Sequence, residues 1–305
     1  MTATERETWL AERRRGIGSS DTAKILGLSK FGTALSVYLD KIGAAPEEPR
    51  SDRLLNGTRF EPAIAGAIID EYGWTLKKVG MEQHADLPFI LSNRDRISID
   101  PSDSLEVTTE IKTFEVYQQS DLGEPETDEI PLEHACQVQH QLEVARSIGY
   151  YHEHAWYFAQ VGFSEKVRRY RIAFDPEFFP TVLPALEEFW HRVETRTPPE
   201  PDWSHPTTLE NLQSLYAPVV GKSVALDAEM VQYATEYVRL GAEASAVNAR
   251  RDEAKARLIA AMGDAELAAL PDGRTITRRK VERKGFTVDP TSYFNFSIKE
   301  PKHGK

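Results

Sequence analysis

Two acids and a lysine near the middle of the chain have the residue types and spacing for hydrolytic chemistry. Asp95 precedes Glu110-Ile111-Lys112 by fifteen residues. If the tripeptide lies in a β-strand, side-chain alternation places its carboxylate and ammonium on one face and Ile111 on the other. Carboxylates are hard ligands for Mg²⁺ or Mn²⁺, and a nearby lysine can align or deprotonate a water. The pattern indicates metal-dependent phosphodiester cleavage, but a chain with 28% charged residues also produces it by chance.

Length and composition limit the class of protein. With 305 residues, 40% of them hydrophobic, the chain can bury a full core and carry an appendage. No apolar run reaches the roughly 20 residues that span a bilayer, and the charged N-terminal segment is unlike a secretory signal. The single cysteine, Cys136, excludes an internal disulfide and a cysteine-held metal cluster. We therefore expect a cytoplasmic protein without membrane association, and we interpret His152-Glu153-His154 as a surface turn.

The distribution of charge matters more than its sum. The net charge of −11 argues against a nucleic-acid partner, which usually requires a basic surface. Basic residues nevertheless gather at 13–15, 166–171 and 274–305. Each basic segment is either a DNA contact or a solvated edge, so the composition is compatible with DNA binding without requiring it.

Apolar periodicity and capping residues predict an α/β domain at residues 1–200. Helices are expected at 5–14, 22–28, 33–42, 59–72, 131–147 and 175–195. Strands are expected at 75–79, 90–93, 96–99, 108–113, 150–160 and 166–174. Helices mixed with strands in this order predict one mixed α/β layer structure.

The sequence of residues 201–305 predicts a linker followed by a helical arm outside the α/β domain. The proline-rich sequence at 197–202 marks the end of the α/β domain and predicts a linker that covers 201–223. Residues 224–305 then contain a long helical pattern over 225–262, interrupted by Gly241, and a β-hairpin with Asp272-Gly273 at its turn. We expect this arm to serve oligomerisation or partner docking.

Four collinear motifs give the chain a specific resemblance. They are Arg15-Gly16-Ile17-Gly18-Ser19-Ser20-Asp21 with Leu26-Gly27, Asn56-Gly57-Thr58-Arg59-Phe60-Glu61, Ser92-Asn93-Arg94-Asp95-Arg96-Ile97 with Glu110-Ile111-Lys112, and Gln137-Val138-Gln139-His140-Gln141-Leu142. With them the chain resembles the YqaJ-like viral recombinase family, in the phage lambda exonuclease-like branch of the PD-(D/E)xK nuclease superfamily. The resemblance implies a restriction-endonuclease-like α/β core with a mixed central sheet flanked by helices, followed by a C-terminal helical arm and a small β-hairpin.

The resemblance also implies roles for individual residues. Asp95 and Glu110 match the metal-binding acids, the backbone carbonyl of Ile111 is a further metal ligand, and Lys112 orients or activates water. Glu61 matches an acid on a helix that reaches the metal directly or through water. Gln137 matches a glutamine that positions the nucleophile or the scissile phosphate.

Two assignments stay open within the resemblance. The family holds the terminal phosphate of DNA with an arginine and a serine. Here Arg13, Arg14 and Arg15 compete for the first role, and of the two serines Ser19 and Ser20 the better-placed hydroxyl is Ser20. Asp100 competes with Asp95 as the first metal acid, because Arg94 stands where a proline is frequent in the family. We favour Asp95, because Ser92-Asn93-Arg94-Asp95-Arg96 matches a variant of the motif seen in phage members.

The function implied by the resemblance is a Mg²⁺-dependent double-strand DNA exonuclease, with Mn²⁺ as the alternative metal. It would degrade the strand that presents a 5′ end and leave 3′ single strands for recombination by strand annealing, in the cytoplasm of a bacterial host. The implied partners are DNA ends, a single-strand annealing protein and further subunits in a ring. The alternatives are a structure-specific DNA endonuclease and a catalytically inactive module that binds DNA ends.

Overall fold

The chain forms two compact units, Met1–Ala217 and Pro218–Lys305. The structure is a computed structural model that describes residues 3–45, 52–99, 104–162, 166–282, 296 and 298. The helices of the first unit are α1 Ala3–Arg13, α2 Thr22–Ile25, α3 Ala34–Ile42, α4 Asp52–Tyr72, α5 Leu132–Ser147, α6 Phe178–Glu194 and α7 Thr208–Leu215. Its strands are β1 Ile17–Gly18, β2 Thr75–Lys77, β3 Glu82–Gln83, β4 Ile90–Ser92, β5 Arg96–Ile99, β6 Glu106–Phe114, β7 His154–Val161 and β8 Arg168–Ala173.

A five-stranded mixed sheet forms the centre of the first unit. Its strand order is β2-β5-β6-β7-β8, with β6 and β7 parallel and the other neighbours antiparallel. A smaller sheet of order β1-β4-β3 lies beside it in the same unit. The predicted α/β class with a mixed central sheet is confirmed.

Alternation along the central strands gives the sheet two apolar faces, each covered by a helix. Ile111 of β6 and Phe158 of β7 pack with Ile64 and Ile68 of α4. On the opposite face, Phe114 and Tyr157 pack with Val138 and Leu142 of α5. Glu110 and Lys112 share the parity of Phe114, so the strand directs both toward the α5 face.

Differences from the predicted elements follow from length and packing. Strands β1 and β3 have two residues each, which is too short for an alternating pattern to reveal. Helix α4 begins seven residues earlier than predicted, because it continues through Asn56-Gly57 instead of starting there. The interpretation of residues 152–154 as a surface turn was wrong. His152 is buried and its Nδ1 accepts the Thr108 amide hydrogen at 3.1 Å, and burial lowers the pKa of His152 to about 4.

The segment 201–223, expected to be a linker, contains helix α7. Leu212 and Leu215 of this helix pack against the cluster that includes Leu35 and Leu39 of α3. The amphipathic spacing of these leucines explains why the segment folds back onto the first unit instead of forming an extended connector.

The second unit is built on one long helix and a hairpin. Helix α8, Met230–Met262, runs 33 residues through Gly241 without a break. Strands β9 Leu267–Ala269 and β10 Thr275–Thr277 pair in antiparallel fashion, and Gly273 takes the positive φ of 87° in the turn between them. Among the described helices, none combines the length and apolar character needed to cross a membrane.

Candidate active site

Glu110 is the most completely held carboxylate of the candidate site. Its side chain is buried, and the Lys112 ammonium contacts Oε1. Gln137 Nε2 donates to Oε1 at 2.6 Å and Gln141 Nε2 donates to Oε2 at 2.7 Å. Because residues four apart share one face of a helix, α5 presents both amides to the same strand. Both oxygens of the carboxylate are therefore fixed in place.

Asp95 lies immediately before β5, and β5 pairs with β6, the strand that carries Glu110. Its Oδ2 accepts the backbone amide hydrogen of Ile111 at 2.8 Å. Burial and the neighbouring charge of Glu110 raise the pKa of Asp95 to about 7, against the opposing effect of Lys112. Burial tends to lower the pKa of Lys112, but the carboxylates of Glu110 and Asp95 outweigh it and raise that pKa. The lysine is therefore protonated at neutral pH, where Asp95 is close to its midpoint.

Glu61 projects from α4 toward the same region but already has a cationic partner. Its Oε1 lies 2.6 Å from the guanidinium of Arg96. The same Arg96 nitrogen donates to the backbone carbonyl of Asp95 at 2.5 Å. Arg96 thus ties α4 to the turn that carries Asp95.

A cavity of about 470 Å³ joins these groups and opens to solvent. The side chains assigned to chemistry in its lining are Glu61, Asp95, Lys112 and Gln137, together with Ser20 from the N-terminal segment. The cavity is also lined by Lys24 and Lys30, and the Lys30 ammonium lies 3.2 Å from the carboxylate of Asp121, which lines it too. A phosphodiester could therefore approach Asp95 and Lys112 without any displacement of the sheet.

The structure separates the three candidate arginines. Arg13 lies 2.7 Å from Asp21 Oδ1 and 3.4 Å from the Ser20 hydroxyl. Arg14 lies 3.7 Å from Asp40, whereas Arg15 lines a different cavity. Ser20 is exposed, whereas Ser19 is buried. Arg13 and Ser20 are therefore the pair that lies together beside the candidate site.

The aspartate that holds Arg13 is itself fixed by a buried lysine. Lys41 donates to Asp21 Oδ2 at 2.7 Å and to the Arg13 carbonyl at 3.2 Å. Burial alone would raise the pKa of Asp21, but Arg13, Lys41 and Lys24 hold it well below its usual range. The carboxylate stays ionised and keeps the Arg13 guanidinium in position.

Arg94, which stands where a proline is frequent in the family, forms a buried ion pair and a hydrogen bond that connect two strands. Its side chain is buried and forms a two-point ion pair with Glu82, at 2.7 Å and 2.5 Å. It also donates to the Thr108 hydroxyl at 3.1 Å. Arg94 thus connects β3 to β6 directly before Asp95. Asp100, the competing acid, lies outside the described residues.

Sequence reasoning missed three residues that contact or line the site: Gln141, Arg96 and His134. His134 lines the cavity and its Nδ1 lies 2.7 Å from the Tyr157 hydroxyl. Burial, with Lys112 and Lys30 nearby, lowers the pKa of His134 to about 3, so its ring is neutral. His134 and Gln141 could have been identified from the sequence, because they lie three and four residues from Gln137 and so share its face of the helix.

The donor set suits a hard divalent cation with few protein ligands. Across the described ranges, no three His, Cys, Asp or Glu side chains are placed to hold a metal together. Asp95 and Glu110 nevertheless form a pair in which one carboxylate raises the pKa of the other. A divalent cation relieves this repulsion, and Mg²⁺ commonly takes one or two carboxylates and keeps several waters. Asp95 and Glu110 are the carboxylates that fit that pattern, with Glu110 sharing its oxygens with Lys112 and two amides, whereas Glu61 would first have to leave Arg96.

Comparison with known proteins gives a consistent result. The model of the YqaJ-like viral recombinase domain matches residues 8–147. The chain is 31% identical over 265 residues to the uncharacterised protein YqaJ of Bacillus subtilis (strain 168), covering 86% of this chain and 79% of that protein. The fold is similar to that of an alkaline exonuclease from Laribacter hongkongensis, with a TM-score of 0.50 and 16% identity over 63% of this chain and 94% of the other. The chain therefore belongs to the YqaJ-like viral recombinase family.

Proposed function

We propose that this protein is a Mg²⁺-dependent exonuclease that degrades double-stranded DNA from its ends. The observation that carries the proposal is that Asp95 and Lys112 line an open cavity while buried Glu110 lies directly behind them, bound to Lys112 and Gln137. The viral recombinase family and the fold shared with an alkaline exonuclease support DNA as the substrate.

The side chains divide the catalytic work according to their charge. When bound, Mg²⁺ would supply Lewis-acid activation of the phosphate and lower the pKa of water, held by Asp95, Glu110 and the Ile111 carbonyl. Lys112 is protonated, so it orients the attacking water and stabilises negative charge that develops on the phosphate. Gln137 and Gln141 keep the Glu110 carboxylate in one orientation, which avoids reorganisation during the reaction.

End recognition is assigned to Arg13 and Ser20. A guanidinium and a hydroxyl can donate together to a terminal phosphate, and Ser20 lines the cavity that contains Asp95. Asp21 already holds Arg13, so the guanidinium is oriented before DNA arrives. We assign the bound terminus to the 5′ phosphate, which gives 5′-to-3′ degradation and a 3′ single strand.

Membership of the family supports a proposal for the biological setting. A 3′ single strand is the substrate of a single-strand annealing protein, and we propose such a protein as the partner in phage-type recombination. We further propose a ring of subunits around DNA, because a ring concentrates local basic segments of an acidic chain on one enclosed surface. The arm at 224–305 is the proposed assembly or docking element.

A comparison of DNA topologies tests the proposed function. The protein is incubated in Mg²⁺ with a linear plasmid and with the same plasmid as a covalently closed circle, and released nucleotides are measured. We expect digestion of the linear form, an intact circle, and no digestion in EDTA. Cleavage of the circle would instead identify an endonuclease, and binding of linear ends without digestion in Mg²⁺ or Mn²⁺ would identify an inactive module.

A further inference from the structure

The long helix of the second unit carries an apolar stripe with the spacing of a coiled coil. Met230, Tyr233, Tyr237, Leu240, Ala244 and Val247 follow one another at alternating intervals of three and four residues. Arg251 occupies the next position of this repeat, and the same spacing then continues with Ala254, Leu258 and Ala261. A strict seven-residue repeat has a period of 3.5, which is the period of helices that supercoil around each other.

The described residues of the second unit leave most of this stripe exposed. Tyr233 is 59% exposed and Val247 is 56% exposed. Phe296 contacts the Tyr237 ring at 5.3 Å between centroids, yet Tyr237 remains 55% exposed. An apolar stripe about 50 Å long on a single helix requires a partner, because helices in proteins draw most of their stability from packing an apolar face.

The charges beside the stripe are separated by sign along the helix, although within one chain Arg239 contacts Glu236 and Glu243, and Arg257 contacts Glu253. The positions immediately before the first apolar residue of each repeat are Glu229, Glu236, Glu243, Arg250 and Arg257. They are acidic in the first half of the helix and basic in the second half. Two copies running in opposite directions place Glu243 beside the partner's Arg250 and Glu236 beside the partner's Arg257. Two-fold symmetry makes four such pairs.

A parallel arrangement lacks this complementarity. In a parallel pair the only two charged residues that face each other at these positions are Arg250 and Lys255, which repel. The positions opposite the flanking charges are Ala234, Gly241, Asn248, Lys255 and Met262 of the other helix. Arg251 would also meet its own copy within the seam, whereas in the antiparallel pair it lies beside the partner's Leu240. Like charges across an interface disfavour the wrong orientation more strongly than surface ion pairs favour the right one.

We propose that helix α8 forms an antiparallel coiled coil with α8 of a second copy of this chain. The pairing is two-fold and closed, so it joins chains in even numbers. It does not depend on the nuclease assignment, because no residue of the catalytic cluster takes part.

Paired charge variants of the full chain test this proposal. The acidic set is made basic in Glu236→Arg/Glu243→Arg, and the basic set is made acidic in Arg250→Glu/Arg257→Glu. Molar mass is measured by light scattering for each variant alone and for an equal mixture. We expect an even multiple of 34.4 kDa for the wild type, half the wild-type mass for each variant alone, and the wild-type mass for the mixture. Asp252→Arg, an acid-to-base change outside the stripe and its flanking charged positions, is the control and should leave the mass unchanged.

Three results would overturn the proposal: a wild-type monomer or odd-numbered assembly, variants that keep the wild-type mass, or a mixture that does not reassemble. Because reassembly requires both variants to fold, it also separates lost pairing from misfolding. Orientation is read from a spin label at Gln232→Cys, since Cys136 is buried and resists labelling. An antiparallel pair gives a distance of about 40 Å between labels, and a parallel pair gives roughly 20 Å or less. The shorter distance would refute the antiparallel arrangement.

Discussion

At the scale of single residues, the protonation of Asp95 links the stability of the fold to the candidate chemistry. In the folded chain its pKa is raised from 3.8 to about 7. The folded state therefore holds this proton more tightly than the unfolded state. The resulting stabilisation is fully present below pH 4 and is lost as pH rises through 7.

Replacing Asp95 with asparagine should remove this pH dependence. We expect Asp95→Asn to become more stable relative to the wild type by about 2 to 3 kcal/mol between pH 5 and pH 8, in EDTA, because the ionised carboxylate beside Glu110 is gone. Urea unfolding of both proteins at the two pH values measures the difference. Asp70→Asn, an exposed change on α4, is the control. A constant difference between the two pH values would contradict the raised pKa.

Mg²⁺ and a proton should compete for Asp95. We expect Mg²⁺ to raise the melting temperature of the wild type more at pH 8 than at pH 6, since the carboxylate must lose its proton to bind a cation. Thermal melts with Mg²⁺ and with EDTA measure the effect. Asp95→Asn should lose most of the stabilisation at both pH values. A stabilisation that this variant retains in full would remove Asp95 from the metal site.

Arg13 and Arg15 form a matched pair for the proposed end pocket. We expect Arg13→Ala to reduce the preference for 5′-phosphorylated over 5′-hydroxyl duplexes by roughly tenfold, the loss of one charge-assisted hydrogen bond. Arg15→Ala should leave the preference unchanged, because Arg15 lines a different cavity. Initial digestion rates on the two substrates give the ratio. Equal effects of the two substitutions would refute the assignment to Arg13.

The sequence predicts residue types at this site better than it predicts their partners. Asp95, Glu110 and Lys112 could be selected from spacing and resemblance, and the alternation of β6 explains why Glu110 and Lys112 meet. The choice of Arg13 over its two neighbours depends on Asp21 and on buried Lys41, twenty-eight residues after Arg13. No local pattern encodes that contact.

At the scale of elements, the turn that presents Asp95 depends on a buried ion pair. Arg94 joins β3 to β6 through Glu82 and Thr108. Strand β3 has two residues and was not predicted, so its role becomes visible only through this contact. Longer elements such as α5 and β6 were predicted from their length and residue types, although their burial is continuous over 136–142 and 107–111 and does not repeat with a regular period.

Removing Arg94 should therefore damage both the fold and the site. We expect Arg94→Met to lower the free energy of unfolding by roughly 3 kcal/mol, because it leaves Glu82 without its partner in a largely buried place. Denaturant unfolding measures the loss. Adding Glu82→Gln should cost much less than the sum of the single changes. If the costs simply added, Arg94 and Glu82 would not be energetically coupled.

At the scale of the whole molecule, the candidate catalytic residues and the proposed pairing helix fall in separate units of the chain. The acids, Lys112 and both glutamines belong to the first unit, whereas the heptad stripe belongs to the second. Composition alone could not reveal this division, because a net charge of −11 is a sum that hides both the mixed lysines and acids of the cavity and the separated charges of the arm. The arm was predicted as helical. The proposed antiparallel pairing could be argued only once the bounds of α8 showed which charges flank its apolar stripe.

The digestion rate of linear duplex DNA by Lys112→Ala tests the central claim most directly. The variant is compared in Mg²⁺ with the wild type and with Lys77→Ala, which removes a lysine exposed on β2. We predict a loss of about a hundredfold or more for Lys112→Ala, since it removes the protonated group beside the reacting phosphate. Lys77→Ala should retain the wild-type rate, and all three proteins should remain folded by thermal melting. A folded Lys112→Ala protein that digests linear DNA at the wild-type rate would contradict the assignment of this cluster as the active site.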